Sequence, residues 1–338
     1  MNFNEYTTIE DWFCAQPQIN GKDYVSQYNC IKAILDPIQD EIKSVVAKID
    51  PTTYLNAHGR SHIKMVIEKI TMLLNHNELN LSMYETYLLL LASQFHDIGH
   101  IYNGRDKHAK DAGRIISMIN HQLLNAVDKK IIFDIASAHS GKDNPIGKLP
   151  VIDTISNEKI RYRLLSAILR LADELADGTE RASNFLLELD EGKGQIPEES
   201  KIFHVFSHCL NSYYVDFESH EVLMKFFLYK EHVLEKFKKK TEDVFLIDEI
   251  YNRTLTTFTE CLYYNRFVPE SIRLNSVYVE IKFLTSEYPF LDFCDPIKFK
   301  IEEQGYPTLS SRNIFEICKN DLVKDGIKID GQYVFNKL

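Results

Sequence analysis

Gln94-Phe95-His96-Asp97-Ile98-Gly99-His100 closes an apolar run, Tyr87 to Ala92, in which four Leu and one Ala follow the Tyr. The stretch puts an imidazole and a carboxylate side by side. Adjacent side chains on a helix diverge by roughly 100°, so the pair can converge on one ion only from a helix edge or end. Gly99 is placed to end the helix just after them. A lone His-Asp pair is more often a surface dipeptide or a cap. Here further metal-binding side chains occur on apolar helical patterns: His62 upstream, and Asp173 downstream in Leu169-Arg170-Leu171-Ala172-Asp173-Glu174-Leu175.

The order His62, His96-Asp97, Asp173 resembles that of the HD superfamily of metal-dependent phosphohydrolases, over about residues 58–181. The resemblance implies a helical metal-binding domain with these four side chains as ligands. Two narrower likenesses follow. His100, with His108 and Asp111 in a His-x-x-Asp spacing, is similar to the deoxynucleoside triphosphate triphosphohydrolases, where such residues act in catalysis; that implies catalytic roles for His100, His108 and Asp111. The interval from His100 to His108 is longer than in that group and lacks its Pro and Phe. The other likeness is to HD proteins of bacterial conflict and signalling systems. It rests on His58-Gly59-x-x-His62, His96-Asp97-Ile98-Gly99-His100, His108, an Ile-rich helix ending in His139, and Leu169-Arg170-Leu171-Ala172-Asp173 followed by Arg181. It implies that His108 and His139 hold a second ion, and one ion or two both stay open.

Imidazole and carboxylate ligands together suit Mn, Fe, Co, Ni or Zn, with Mg accommodated but less favoured by the histidines. Four protein ligands leave positions on a six-coordinate ion for water and a phosphoryl oxygen, and hydrolysis of a phosphoester or phosphoanhydride is the reaction such a site supports most directly. Arg60, Lys142 and Arg181 are the basic residues placed to hold a phosphate, although each such residue more often serves as an ordinary surface charge. His58 either lines the mouth of the site or simply occupies the turn at Gly59. Two other functions compete: a module that senses a nucleotide without turning it over, and a metal-dependent nuclease on single-stranded nucleic acid.

Bulk properties weigh between them. The 338-residue chain carries 39 Lys and Arg against 49 Asp and Glu, a formal charge of −10 that disfavours a polyanionic partner. A small phosphorylated substrate, a nucleotide above all, needs only a local positive site. An apolar share of 44% provides for an ordinary core. The six cysteines are scattered with no Cys-x-x-Cys spacing. The first residues have neither a basic region nor an apolar signal core, and no stretch approaches membrane-spanning length. A cytoplasmic location and no membrane partner are expected, and a homo-oligomer is compatible with the sequence.

The fold class expected is mainly α: a helical lead over residues 1–50, an HD-type metal-binding domain over 51–187 and an α+β accessory region over 188–338. In the lead, Tyr28, Ile31, Leu35 and Ile38 form a helical stripe that Pro37 interrupts. His62 opens an amphipathic helix, Ser82 and Glu85 have the spacing of a capping box, and helices are expected from His108, over Ile131–His139 and over Glu158–Asp177. Residues 140–157, with Pro145, Gly147 and Pro150, read as irregular, and 188–199 as an acidic boundary. Beyond lie a hairpin of Tyr213–Phe217 with Val222–Phe226, a helix from about Val233 to Phe267 with Lys238-Lys239-Lys240 on its solvated face, an alternating strand over Val277–Phe283, and a tail with one helix and a short strand at Gln332–Phe335. His204, His208 and His220 have no carboxylate or Cys at ligand spacing.

Overall fold

The apolar run before His96 forms a helix, Met83–Phe95, buried at every position from Tyr84 to Phe95. A helix with no polar face has to be surrounded. In the computed structural model, which describes residues 6–18, 21–49, 59–75, 79–103, 107–155, 157–178, 198–239, 242–285, 295–303 and 313–337, it is. The chain is mainly α, with a mixed sheet toward its C-terminal end. It divides into two compact units. The first comprises Met1–Pro51, Ala57–Ala176 and Phe267–Ser271; the second comprises Thr52–Asn56, Asp177–Arg266 and Ile272–Leu338.

The first unit runs α1 (Ile9–Cys14), α2 (Tyr24–Ile49), α3 (Arg60–Leu74), α4 (Met83–Phe95), α5 (His100–Asn103), α6 (His108–Met118) and α7 (Ala126–Ser137). A hairpin of β1 (Asp153–Ile155) and β2 (Glu158–Ile160) follows, then α8 (Tyr162–Leu175). Helices α1, α2, α3, α7 and α8 pack around α4. Its consecutive Leu88 to Leu91 are fully buried, each contributing about 1.5–3 kcal/mol relative to exposure. Ser82 caps α4 through Glu85 N–H while the Glu85 carboxylate returns to Ser82 N–H, the expected capping box. The same carboxylate accepts from Arg161 Nε and Nη2 at 2.8 and 2.6 Å, which fixes the start of α8 against the start of α4.

Three sequence expectations change here. Pro37 does not interrupt α2, which continues through it. The carbonyl that Pro37 leaves without a donor, that of Ala33, belongs to an exposed residue that water can reach. The helix expected from Glu158 begins at Tyr162, because Glu158–Ile160 pair with Asp153–Ile155 across a turn in which Asn157 has φ +65°. The helix expected from Ile131 begins earlier, at Ala126, where Asn125 caps it. Residues 140–152 are irregular apart from a short 3₁₀ turn at Ile146–Lys148.

The second unit contains α9 (Glu198–Cys209), β3 (Leu210–Asp216), β4 (Glu221–Tyr229), α10 (Lys230–Leu234), β5 (Lys236–Lys239), β6 (Glu242–Phe245) and α11 (Leu246–Asn265). After these come β7 (Ser276–Leu284), β8 (Ile297–Glu302), α12 (Ile314–Ile317), α13 (Lys319–Leu322), the two-residue strands β9 (Val323–Lys324) and β10 (Ile327–Lys328), and α14 (Gly331–Lys337). The sheet order is β3-β4-β7-β8, antiparallel except for the parallel β4–β7 pair. Both the β3–β4 hairpin and the alternating strand β7 agree with the sequence. The single helix expected over 233–267 is instead a short helix, a hairpin and α11: Lys236–Lys239 pair with Glu242–Phe245, and Phe237 and Phe245 are buried on opposite faces of that hairpin. Lys238 and Lys239 therefore lie on a strand. At the tail, Gln332–Phe335 are helical, not extended. Gly331, whose absent Cβ would lie 2.2 Å from Phe245 Cβ, starts that helix with its N–H donating to Asp248 Oδ1. Among the described residues no helix is long and apolar enough to cross a membrane.

Candidate metal centre

Helix ends in the first unit bring the predicted ligands together. His62 is in the first turn of α3, His96 and Asp97 directly follow α4, and Asp173 is in the last turn of α8. One donor atom from each lies within 4.8 Å of the others. His62 Nε2 is 3.0 Å from Asp173 Oδ1, 3.4 Å from His96 Nε2 and 3.6 Å from Asp97 Oδ2. His96 Nε2 is 3.5 Å from Asp97 Oδ2 and 3.6 Å from Asp173 Oδ1. Metal bonds of about 2.1 Å set neighbouring ligands about 3.0 Å apart at right angles and about 3.4 Å apart at tetrahedral angles. The spacing and the donor chemistry fit a divalent ion.

The other oxygen of Asp97 faces a second group. Asp97 Oδ1 is 3.4 Å from His100 Nε2, 3.6 Å from His108 Nε2 and 3.5 Å from His139 Nε2. His108 and His139 bring their Nε2 atoms to 3.0 Å of each other, and the His100 and His108 rings stack with centroids 4.2 Å apart. Asp97 thus stands between two sets of imidazoles with one carboxylate oxygen toward each. His62, His96, Asp97, His100 and His139 are buried, whereas the side chains of Asp173 and His108 are 26% and 16% exposed. Those two mark the open side of the cluster.

Tautomers are fixed by main-chain carbonyls. His96 Nδ1 donates to Ser93 O at 2.8 Å, and His139 Nδ1 donates to Ala136 O at 2.6 Å. A carbonyl can only accept, so in each neutral ring the Nε2 lone pair is left for the centre of the cluster. Burial opposes a charge on His96, yet Asp97 and then Asp173 outweigh it and lift its imidazole to about 9. Burial likewise opposes the charge on both carboxylates. The His96 and His100 charges reverse this for Asp97, and hydrogen bonds from His62 and His96 reverse it for Asp173, so both sit well below the usual carboxylate range.

Gly99 has a different role from the helix stop its sequence position suggests. α4 ends at Phe95, and Gly99 is not in the left-handed region. A Cβ on Gly99 would lie 2.0 Å from the main-chain oxygen of His108 and 2.6 Å from the nitrogen of Ala112. Only glycine admits the first turn of α6 so close, and that approach carries His108 over Asp97.

The remaining candidates are distributed differently. Asp111 lies one turn past His108 on α6, 3.9 Å from Arg114 Nη1. Arg60 turns to α2, with Nε 2.7 Å from Asp40 Oδ1 and Nη1 3.7 Å from Asp36. Lys142 is exposed beside Gly141, which has φ +97°. His58 and Arg181 lie outside the described residues. In the second unit, His204 and His208 are on α9 and His220 is in the β3–β4 turn, its Nδ1 donating to Arg273 O. Among the described residues the clusters able to hold an ion are those around Asp97. Sequence reasoning passed over Arg170, whose Nη1 donates to Gly141 O at 2.9 Å and ties the loop after His139 to the helix bearing Asp173. A single Arg inside the apolar Leu169–Leu175 segment was the available signal.

A helical unit that presents His, His-Asp and Asp from helix ends is an HD-type fold with a site able to hold a metal ion. The model of the HD-CE family matches residues 50–254, and the chain belongs to that family. No curated protein matches it.

Proposed function

We propose that this protein is a cytoplasmic, divalent-metal-dependent phosphohydrolase that cleaves a phosphoester or phosphoanhydride of a nucleotide or a related small phosphorylated molecule. The observation that carries this reading is Asp97, whose Oδ2 faces His62 and His96 while its Oδ1 faces His100, His108 and His139. A divalent ion bound there would supply Lewis acidity, activating water and neutralising charge that develops on the phosphoryl group.

The chain's own residues do the rest. His62, His96, Asp97 and Asp173 would hold one ion; His108 and His139, with Asp97, would hold a second where the site is binuclear. Burial of His62 and His96 excludes bulk water from one side, so substrate enters beside Asp173 and His108. Breaking the P–O bond leaves an oxygen that needs a proton. His108, at the open side and stacked on His100, is the donor when it is not itself a ligand, with Asp111 one turn away to orient it. Lys142 and Arg181 serve the substrate phosphate.

The test is to incubate purified protein with Mn, Fe, Co, Ni, Zn or Mg and a panel of nucleotides, cyclic nucleotides and short oligonucleotides, and to identify products. Release of phosphate, pyrophosphate or a ring-opened monophosphate from a small substrate is expected. Cleavage of oligonucleotides alone would make the protein a nuclease, and nucleotide binding without turnover in every metal would make it a sensor.

A further inference from the structure

Helix α2 lies ahead of the residues matched by the family model, yet it packs on both elements that bring in the first ligands, α3 and α4. Asp36, Gln39 and Asp40 stand at i, i+3 and i+4, on one face of α2. The start of α3 rests there. Arg60 Nε and Nη2 lie 2.7 and 2.6 Å from Asp40 Oδ1 and Oδ2, and Arg60 Nη1 lies 3.7 Å from Asp36 Oδ2. A Cβ on Gly59 would stand 3.0 Å from the main-chain oxygen of Gln39. A glycine N-cap thus lets α3 begin against α2, with His62 in the turn that follows.

The end of α4 meets the same segment. The last carbonyls of a helix have no partner within it. Ser93 O accepts from the His96 ring and Phe95 O from Ile98 N–H at 3.3 Å; Gln94 O, between them, accepts from Gln39 Nε2 at 3.0 Å. The Gln39 amide also donates to Gln94 Oε1 at 3.0 Å, and Gln94 Nε2 donates to Tyr28 OH at 2.9 Å. Gln39 and Gln94 are 1% and 2% exposed. Turning the Gln39 amide over would set its oxygen against a carbonyl, which can only accept. The amide therefore serves Gln94 O and leaves its own buried Oε1 without a donor.

We propose that Gln39 is a positioning residue for the metal centre. Its side chain caps α4 two residues before His96, while its main chain abuts Gly59, three residues before His62. One residue of α2 thereby sets the separation of His62 from His96 and Asp97, 3.4 and 3.6 Å between donor atoms. The lead helix is part of the site and not a cover over it. This inference rests on the cluster binding metal, and is independent of what the centre hydrolyses.

Titration of the full chain with cobalt(II), followed by its visible absorption, tests this, with melting temperatures taken in chelator. Gln39→Met keeps the length of the side chain and removes both N–H groups. It should weaken cobalt at least about tenfold and alter the absorption band, as changes behind metal ligands do. Ser82→Ala, which removes the cap at the opposite end of α4, is the control. Both variants should melt lower than wild type, and Ser82→Ala should keep the wild-type cobalt affinity and band. Should Gln39→Met not fold, Gly59→Ala, which presses α3 away from Gln39, is expected to weaken cobalt in its place. Unchanged affinity and band in the folded variant, or an equal loss in Ser82→Ala, would overturn this inference alone. A wild-type protein that takes up no cobalt would overturn the metal reading, and this inference with it.

Discussion

Asp97 and His96 are neighbours in sequence, but their protonation and their reach differ. Because each Asp97 oxygen faces a different set of imidazoles, Asp97→Ala should deplete bound metal more than Asp173→Ala, since Asp173 Oδ1 faces one set, His62 and His96. Elemental analysis of the two purified variants checks this, and equal metal contents would remove the bridging role. His108→Ala separates two functions in the same way: lost metal stoichiometry marks a ligand, and lowered kcat at full metal content marks a proton donor. For pH, the His96 imidazole is raised to about 9 in the metal-free protein. Its charged form therefore contributes stability that is fully present below the ordinary value of about 6.5 and is lost as pH rises through about 9. Metal must displace that proton, so metal affinity should climb over the same interval. Calorimetric scans with and without chelator should show the metal-free melting temperature falling from neutral pH to beyond about 9, with the metal-loaded protein gaining on it.

Helix ends carry the site, so changes to an element move several ligands at once. Gly99→Ala forces a Cβ into the main-chain oxygen of His108, which has no side-chain freedom with which to yield. Overpacking of this kind costs about 1–3 kcal/mol. The displacement should fall on α6, so metal associated with His108 should be lost before that held by His62 and Asp173. A variant with native melting temperature and native metal content would exclude this role for Gly99. At the other end of α4, Ser82→Ala removes a cap worth about 1 kcal/mol. Glu85→Ala removes the reciprocal cap and also the buried partner of Arg161, and should cost more, on the order of 3 kcal/mol. Denaturant titration ranks the two, and the reverse order would show that Arg161 finds its stabilisation elsewhere.

Across the whole molecule, a net charge of −10 argues for small substrates, and turnover should change only modestly with moderate salt. A nuclease relying on several backbone contacts would lose affinity steeply in the same titration. The sequence by itself determined the class of fold and pointed to His62, His96, Asp97 and Asp173 as candidate ligands, because residue chemistry, helical periodicity and the order of motifs are all written along the chain. The β3–β4 hairpin and strand β7 were readable for the same reason, alternation being a local pattern. The hairpin of β5 and β6 and the late start of α8 were not, since short strands are decided by their pairing partners and not by their own periodicity. Arg60 looked, from its place after His58, like a residue able to hold a phosphate, and only packing shows its guanidinium held by Asp36 and Asp40. The division of Asp97 between two groups of histidines, the tautomers set by Ser93 and Ala136 carbonyls, and the contact that requires Gly99 all join segments distant along the chain or depend on main-chain atoms common to every residue. Side-chain identity cannot announce such relations; only the tertiary structure, by bringing those segments together, decides them.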